Sequence, residues 1–151
     1  MDRQLAQPLL VQLAEASGAT AFLTVAQGDE CTAIQVCEPR SVDLRMSYRV
    51  GSRHPVTSGA SGIAILSARP AQESDPPTVK EARALGYSIT RGEVQKGAIG
   101  IASPIRLKKA QAKSPFESSV GVVTTQEIET QRCIELVMRC AEQIADTLAS
   151  S

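Results

Sequence analysis

The sequence has no excess of charge of either sign, no tryptophan and a single histidine. Its 16 basic and 16 acidic side chains cancel, so no summed field draws the chain to the phosphate backbone of DNA. The densest basic run is Arg106, Lys108, Lys109 and Lys113, and no aromatic residue lies between its members. This run predicts a solvated hairpin loop. The charge pattern therefore argues against DNA binding by this chain alone.

Long apolar runs and targeting signals are also missing. No stretch approaches the roughly 20 apolar residues that cross a bilayer, and the first ten residues lack the basic and apolar regions of a signal peptide. We therefore expect a cytoplasmic protein. Apolar residues make up 42% of the chain and charged residues 21%, as in globular proteins. Without a Pro/Gly/Ser-rich linker, residues 1–151 are predicted to form one domain.

Motifs that carry known chemistry are few. No glycine-rich phosphate loop occurs, and one histidine with four dispersed cysteines does not make a metal cluster, so we expect neither a cofactor nor a metal. The segment Gly59-Ala60-Ser61-Gly62 is close to the turn that presents a catalytic serine, but its second glycine comes one residue early. Its base would have to be His54, seven residues upstream. A serine hydrolase is therefore not predicted.

The spacing of apolar residues and of turn formers gives a coarse order of elements. Apolar residues at helical spacing predict helices, β-rich runs predict strands, and Gly, Pro and cap formers mark their ends. The first predicted elements are a helix over 5–17, strands over 20–26 and 31–38 joined by a turn at 27–30, and a strand over 43–50. A helix over 57–68 follows, and then a helix that starts at Asp75-Pro76-Pro77, with Asp75 or Ser74 as its cap and Gly86 as its end. The last predicted elements are an extended piece over 87–92, strands over 98–107 and 118–125, and a long C-terminal helix opened by a capping box at 124–127. Because helices and strands do not alternate strictly, we predict an α+β fold with an antiparallel sheet flanked by helices.

Two stretches of this sequence resemble a known family. Residues 50–67, VGSRHPVTSGASGIAILS, and residues 86–105, which open with GYSITRGE and close with IASPI, are similar in order and spacing to motifs of the IclR family of bacterial transcriptional regulators. The start of the chain, from Leu9 to Val25, is similar as well. The resemblance implies the C-terminal effector-binding domain of such a regulator, with a GAF-like fold, a small-molecule effector, no enzymatic activity, and assembly into a homodimer or homotetramer.

The sequence departs from the family pattern in two places. No winged helix-turn-helix domain is expected within residues 1–151, so DNA would be reached only through a separate domain. Ile63 also stands where the family commonly has Lys or Arg.

The resemblance further implies which residues line the effector site. These are Met46, His54, Ala60, Ser61, Thr90, Gly100, Gly121 and Val123. The start of the helix over 57–68 also supports a site on physical grounds, because free N–H groups at a helix N-terminus attract carboxylates and small residues let a ligand approach. We therefore expect an organic acid, aromatic or aliphatic, with a small glyoxylate-like acid as the alternative. The competing interpretation is that these residues are small only because the helix packs tightly on the sheet.

Two other functions stay open at this point. A GAF-like redox enzyme, such as a free methionine sulfoxide reductase, would need Cys31 and Cys37 to be accessible and to have low thiol pKa values. The scattered cysteines, which include Cys133 and Cys140 on one helix, instead predict reduced and mostly buried thiols. The remaining alternative is a dimerisation module that binds no ligand.

Overall fold

A computed structural model describes residues 3–40, 50–92, 96–107 and 117–150. The described helices are α1 (Arg3–Ser17), α2 (Gly59–Ala68), α3 (Pro77–Leu85) and α4 (Thr130–Ser150). The described strands are β1 (Thr20–Gln27), β2 (Glu30–Cys37), β3 (Arg53–Pro55), β4 (Ser88–Arg91), β5 (Ile99–Pro104) and β6 (Glu117–Thr124). The predicted α+β class and the long C-terminal helix are confirmed.

The strands form one antiparallel sheet in the order β3-β2-β1-β6-β5-β4. Gly28, with a φ of +62°, lies in the tight turn between β1 and β2 that the sequence predicts. The second predicted pair is also confirmed, since β5 and β6 lie side by side and antiparallel. The centre of the sheet is the β1–β6 pair, which joins the first described strand to the last.

Helices α1 and α4 cover one face of the sheet, which we call the helix-pair face. Its core is aliphatic and includes Leu10, Leu13, Leu23, Ile101, Val120, Val122, Val137 and Ile144. Along β1, β5 and β6 these large side chains alternate with residues of the opposite face, as a strand period of two requires. The hydrophobic stripe of α4 supplies much of this core, as its spacing predicts.

Helix α2 covers the other face, which we call the α2 face. Ala60 and Ala64 of α2 pack on Ala102 of β5, so small side chains bring helix and sheet close together. Ile63 points the other way and packs on Val79 and Ala82 of α3. The apolar residue at this position, where the family commonly has a basic one, is therefore explained by its burial against α3.

Arg83 of α3 holds the C-terminal end of α2. Its guanidinium donates to the carbonyl oxygens of Leu66, Ser67 and Arg69 at 3.4, 3.2 and 3.2 Å, and it pairs with Asp75 at 3.1 Å. The last four carbonyls of a helix have no partner within the helix, so this one side chain bonds to two of them and to the carbonyl of the cap residue Arg69, and it fixes α2 to α3.

Three predicted helix ends are wrong. The capping box at 124–127 does not open α4: Thr124 ends β6, where its pairing with Ile99 keeps it extended, and its hydroxyl accepts from the N–H of Gln126. Asp75 does not cap α3, since its carboxylate instead accepts from the N–H of Gln72, and Ser74 does not either, because the cap position is Pro76. The helix predicted over 5–17 begins two residues earlier, at Arg3, so that Pro8 lies inside α1.

Other predictions fall on parts of the chain that the structure does not describe. The strand predicted over 43–50 lies outside the described residues except for Val50, which is in a turn. Most of the basic run, Lys108 to Lys113, also lies outside them. The short strand β3 was not predicted, because three residues ending in proline carry no pattern of their own.

Candidate functional site

The first turn of α2 is buried, poor in side chains and uncapped. Ser58 precedes the helix in an extended conformation and makes no side-chain cap hydrogen bond. Gly59 then turns the chain with a φ of +82°, and Ala60 and Ser61 are 5% and 3% exposed. At Gly62 a Cβ would lie 2.2 Å from the carbonyl oxygen of Val56, so only glycine fits. The N–H groups of this turn have no intrahelical partners, and the helix dipole makes their surroundings attractive to anions.

Glycines of β5 and β6 form the floor below this turn. A Cβ at Gly100 would lie 3.2 Å from the hydroxyl of Thr90 and 3.4 Å from the Cβ of Ala60. The structure thus brings Ala60, Thr90 and Gly100 into contact distance. Gly100 is also the direct neighbour of Val123 across the β5–β6 pair.

Gly121 extends the same floor towards β1. It is opposite Phe22 in β1 and Ala102 in β5, and a Cβ at this position would lie 2.9 Å from the ring of Phe22. Phe22 and Val123 belong to one buried apolar cluster. Of the residues that the family resemblance implies, Ala60, Ser61, Thr90, Gly100, Gly121 and Val123 therefore all lie in or against the α2 face.

Two serine hydroxyls attach the first turn of α2 to the sheet. Ser88 of β4 donates to the carbonyl oxygen of Ala60 at 2.5 Å, and Ser119 of β6 donates to that of Ser61 at 3.1 Å. Sequence reasoning missed both serines, although each lies two residues from a predicted site residue on the same strand. They hold the helix start in register with the floor without using its N–H groups.

The structure does not bring His54 to this group. His54 lies in β3, opposite Cys31, and three strands separate β3 from β5. Its ring is partly exposed, and its Nδ1 lies 2.9 Å from the carbonyl oxygen of Pro55. Met46 lies outside the described residues.

The cysteines are in the state that the sequence predicts. Burial raises the pKa of Cys31 to about 11, with Arg69 opposing the shift, and raises that of Cys140 to about 12. Burial also raises the pKa values of Cys37 and Cys133, and none of the four forms a disulfide. Since the thiolate is the reactive form, these environments disfavour a redox cysteine.

A separate cavity of about 470 Å³ lies beside α4. It is lined by Gly86, Ser103, Pro104, Arg106, Met138, Ala141, Glu142, Ala145 and Asp146. It shares no residue with the predicted effector site, and its mixture of positive and negative side chains does not single out one class of ligand.

Among residues 3–40, 50–92, 96–107 and 117–150, two kinds of site are absent. Within them, no group of three His, Cys, Asp or Glu side chains is arranged to hold a metal ion. The helices there are also too short or too polar to cross a membrane.

Known proteins share this fold and part of this sequence. Residues 3–76 match the family of the bacterial transcriptional regulator IclR C-terminal domain. The fold is therefore that of IclR-type regulatory domains. The matched residues 3–76 are just under half of the chain and carry the sequence pattern of the IclR C-terminal domain. No curated protein sequence matches the chain at a significant level.

Solved structures share the fold at low sequence identity. An IclR transcriptional regulator from Alicyclobacillus acidocaldarius is 20% identical, with a TM-score of 0.77 over 95% of this chain and 66% of its own. The C-terminal domain of a regulator from Vibrio cholerae is 22% identical, with a TM-score of 0.77 over 94% of this chain and 95% of its own.

One similar structure contains a ligand. An IclR homolog from Microbacterium hydrocarbonoxydans, in complex with 4-hydroxybenzoate, is 20% identical, with a TM-score of 0.77 over 99% of this chain and 68% of its own. This chain thus spans about two thirds of the length of the regulators from Alicyclobacillus and Microbacterium.

Proposed function

We propose that this domain is the small-molecule sensor of a bacterial transcriptional regulator and that its effector is an organic acid, most favourably an aromatic one. The observation that carries the proposal is the uncapped, side-chain-poor start of α2 lying over the floor of Gly100 and Gly121. A carboxylate at this place would accept from the free N–H groups of the helix. The 4-hydroxybenzoate held by the similar regulator from Microbacterium supports an aromatic acid.

The proposed site uses the residues of the α2 face. The carboxylate would lie at the N–H groups around Ala60 and Ser61, and the hydroxyl of Thr90 would be its polar neighbour. The ring would lie against the apolar side of Val123 and the bare backbone of the two floor glycines. Met46 belongs to the proposal on the strength of the family resemblance alone, and His54 is left out of it because β3 lies at the far edge of the sheet from β4 and β5.

The domain would act on DNA indirectly. Its balanced charge gives no attraction to nucleic acid, so effector binding would be passed to a separate winged helix-turn-helix domain, in a cytoplasmic homodimer or homotetramer. The role is regulatory, not catalytic, and the raised thiol pKa values disfavour the redox alternative.

The first test is a charge swap at the entrance to α2. Ser58 makes no cap bond and is partly exposed, so Ser58→Asp would place a carboxylate where the effector's own carboxylate is proposed to lie. We expect Ser58→Asp to raise the stability of the free domain by about 0.3–1 kcal/mol through the helix dipole. We also expect it to weaken binding of benzoate and 4-hydroxybenzoate by roughly 4- to 300-fold, since like charges about 5 Å apart repel by about 0.8 kcal/mol in bulk water and about 3.3 kcal/mol near a protein surface.

The matched control is Ser58→Asn, which has the same shape and no charge. Binding is measured by calorimetry and by thermal shift, where wild-type domain at about 100 times the Kd should gain roughly 5–10 °C in Tm. Equal affinities of the Asp and Asn variants would contradict anion binding at α2. No shift with aromatic acids, glyoxylate or pyruvate would contradict the sensor function and favour a ligand-free dimerisation module.

A further inference from the structure

The two outer edges of the sheet differ in how well they are protected against pairing with another strand. Strand β3, at one edge, is three residues long and carries the exposed Arg53 and Pro55, which has no N–H to donate. Strand β4, at the other edge, contains neither proline nor lysine, pairs with β5 in unbroken register and has the exposed Ile89 as its second residue. Charged residues, prolines and bulges are the usual means of keeping an edge strand from pairing. Of these, β4 has only Arg91, at its end.

The backbone groups of Ile89 and Arg91 are directed to this outer edge. The N–H of Gly92 donates to the carbonyl oxygen of Ala98 at 2.8 Å, which continues the register of the β4–β5 pair. In an antiparallel pair, residues that bond to the neighbouring strand alternate with residues that do not. Thr90, two residues before Gly92, is therefore bonded to β5, whereas Ile89 and Arg91 direct their N–H and C=O groups outward. Within the described ranges, no strand lies on that side of β4.

Apolar side chains lie beside these backbone groups. Ile89 is opposite Ile101, on the helix-pair face, but Ile89 is 36% exposed whereas Ile101 is 0% exposed. Leu85, at the end of α3, is 46% exposed and lines a groove together with Tyr87 and Ile89. Exposed apolar side chains that lie together, and not singly, indicate a contact surface. The outer edge of β4 therefore combines open backbone groups with an apolar surface.

We propose that β4 of this chain pairs antiparallel with β4 of a second copy, about a two-fold axis that passes between their Ile89 residues. In a two-fold contact each patch meets itself, which suits a residue that presents one N–H and one C=O in the same direction. Each Ile89 then donates to the carbonyl oxygen of the other Ile89, and the two side chains lie against each other. The same register places Arg91 of one copy opposite Tyr87 of the other, within reach of a cation–π contact.

The charges of β4 favour this register. A parallel, in-register pairing of two copies would place the two Arg91 side chains opposite each other, and like charges directly opposite are destabilising. The antiparallel register is instead complementary to itself in hydrogen bonds, in apolar contact and in charge. The inference deepens the proposed function by naming the surface of its homo-oligomer, and it depends on no property of the acid site.

The mass of the domain in solution tests the pairing. Analytical ultracentrifugation from about 10 µM to about 1 mM covers the weak dimers expected of a short strand edge. The mass of the wild-type domain should rise from that of one chain towards that of two. In Ile89→Lys, two ammonium groups replace the apolar contact. The Kd of the dimer should therefore rise at least about fourfold, the effect of two like charges about 5 Å apart in bulk water.

Val11→Lys is the matched control. Val11 is 38% exposed on α1, which packs on α4, β1 and β2, so the same substitution is made at a similarly exposed apolar residue away from β4. The Val11→Lys domain should associate as the wild type does. Thermal unfolding shows that both variants are folded before their masses are compared.

A second measurement needs no variant. Amide hydrogen exchange of the wild-type domain is followed by NMR at the lowest and the highest concentration of the series. The N–H groups of Ile89 and Arg91 should exchange severalfold more slowly at the highest concentration, because they are then bonded to the second copy. The N–H of Thr90, which faces Gly100 in β5 at every concentration, should change much less.

Three results would overturn the proposal. They are a mass of one chain over the whole concentration range, association of Ile89→Lys equal to that of wild type, and equally fast exchange of the Ile89 and Arg91 amides at both concentrations. Each of them leaves acid binding, and with it the sensor function, untouched. Absence of acid binding would in turn contradict the sensor function and leave the pairing of β4 standing.

Discussion

The two faces of the sheet use the same strands in opposite ways. On β5 and β6, Ile101, Val120 and Val122 point to the helix-pair face, whereas Gly100 and Gly121 lie on the α2 face. The helix-pair face fills its space with branched aliphatic side chains, which is the ordinary way to stabilise a fold. On the α2 face, small side chains and bare glycine backbone bring α2 close to the sheet, and serine hydroxyls link the two. One face is thus packed with bulky side chains, and the other is packed backbone to backbone.

Because of this difference, we expect opposite kinds of substitution to destabilise the two faces. The helix-pair face should be damaged by removing atoms, because a cavity then remains in a dense core. The α2 face should be damaged by adding atoms, because backbone already lies where a new side chain would go.

The largest effect is expected from Ile144→Ala in α4. Ile144 is 1% exposed within the helix-pair core, so truncation should lower the free energy of unfolding by about 2–5 kcal/mol. Urea denaturation measures this loss. Affinity for 4-hydroxybenzoate should be unchanged at a temperature where the variant is folded. A large loss of affinity with little loss of stability would mean that the faces do not divide their roles.

An intermediate effect is expected from Gly62→Ala in α2. In an open helix this change stabilises by up to about 1 kcal/mol. Here the methyl group would meet the backbone of Val56, so we expect a loss of about 1–3 kcal/mol together with weaker acid binding. Gly18→Ala serves as a comparison, because a methyl group at Gly18 would meet no other atom, although the φ of +72° at this position adds backbone strain. A stabilised Gly62→Ala domain would show that α2 is free to move off the sheet.

The smallest effect concerns alkaline pH and reports on both faces. The raised pKa values of Cys31, on the α2 face, and Cys140, on the helix-pair face, keep both thiols neutral in the folded state after they ionise in the unfolded chain. The stability that comes from keeping these thiols neutral is therefore fully present below about pH 8.5. Above that pH, the free energy of unfolding declines by at most about 1.4 kcal/mol per pH unit for each thiol.

Unfolding midpoints between pH 7.5 and 10 measure this decline. Cys140→Ala, compared with wild type, should have the shallower decline, while other groups that titrate in this range affect both proteins alike. Equal slopes would show that the Cys140 thiol ionises equally in the folded and unfolded states.

Local patterns predicted most of the elements but not their ends. The apolar stripe along α4 and the β-rich runs of β1 and β2 were sufficient to predict these three elements, because the periodicity of their apolar residues reflects burial on one side. The capping box at Thr124 was wrong because pairing with Ile99 across the sheet kept that residue in a strand. A side chain that fits a helix cap is equally suited to a strand end, and only the neighbouring strand decides.

The candidate site was predictable only in part, for a similar reason. Ala60, Ser61 and Gly100 came from the family resemblance, and the structure places them on one face. Ser88 and Ser119 carry no signal in the sequence, where they are ordinary residues within strands. Their role depends on the carbonyl groups of α2 that their hydroxyls meet only in the folded chain.

The central β1–β6 pair has a consequence for how the chain folds. Thr20 pairs with Val123 across the β1–β6 pair. The β1 edge of the first hairpin can therefore pair only after the chain has been synthesised as far as β6. Contacts so distant along the chain form slowly, since a large loop must close first. During translation the β1 edge would expose unpaired backbone groups in the manner that invites aggregation. We expect the nascent chain to depend on chaperones until its last strand leaves the ribosome.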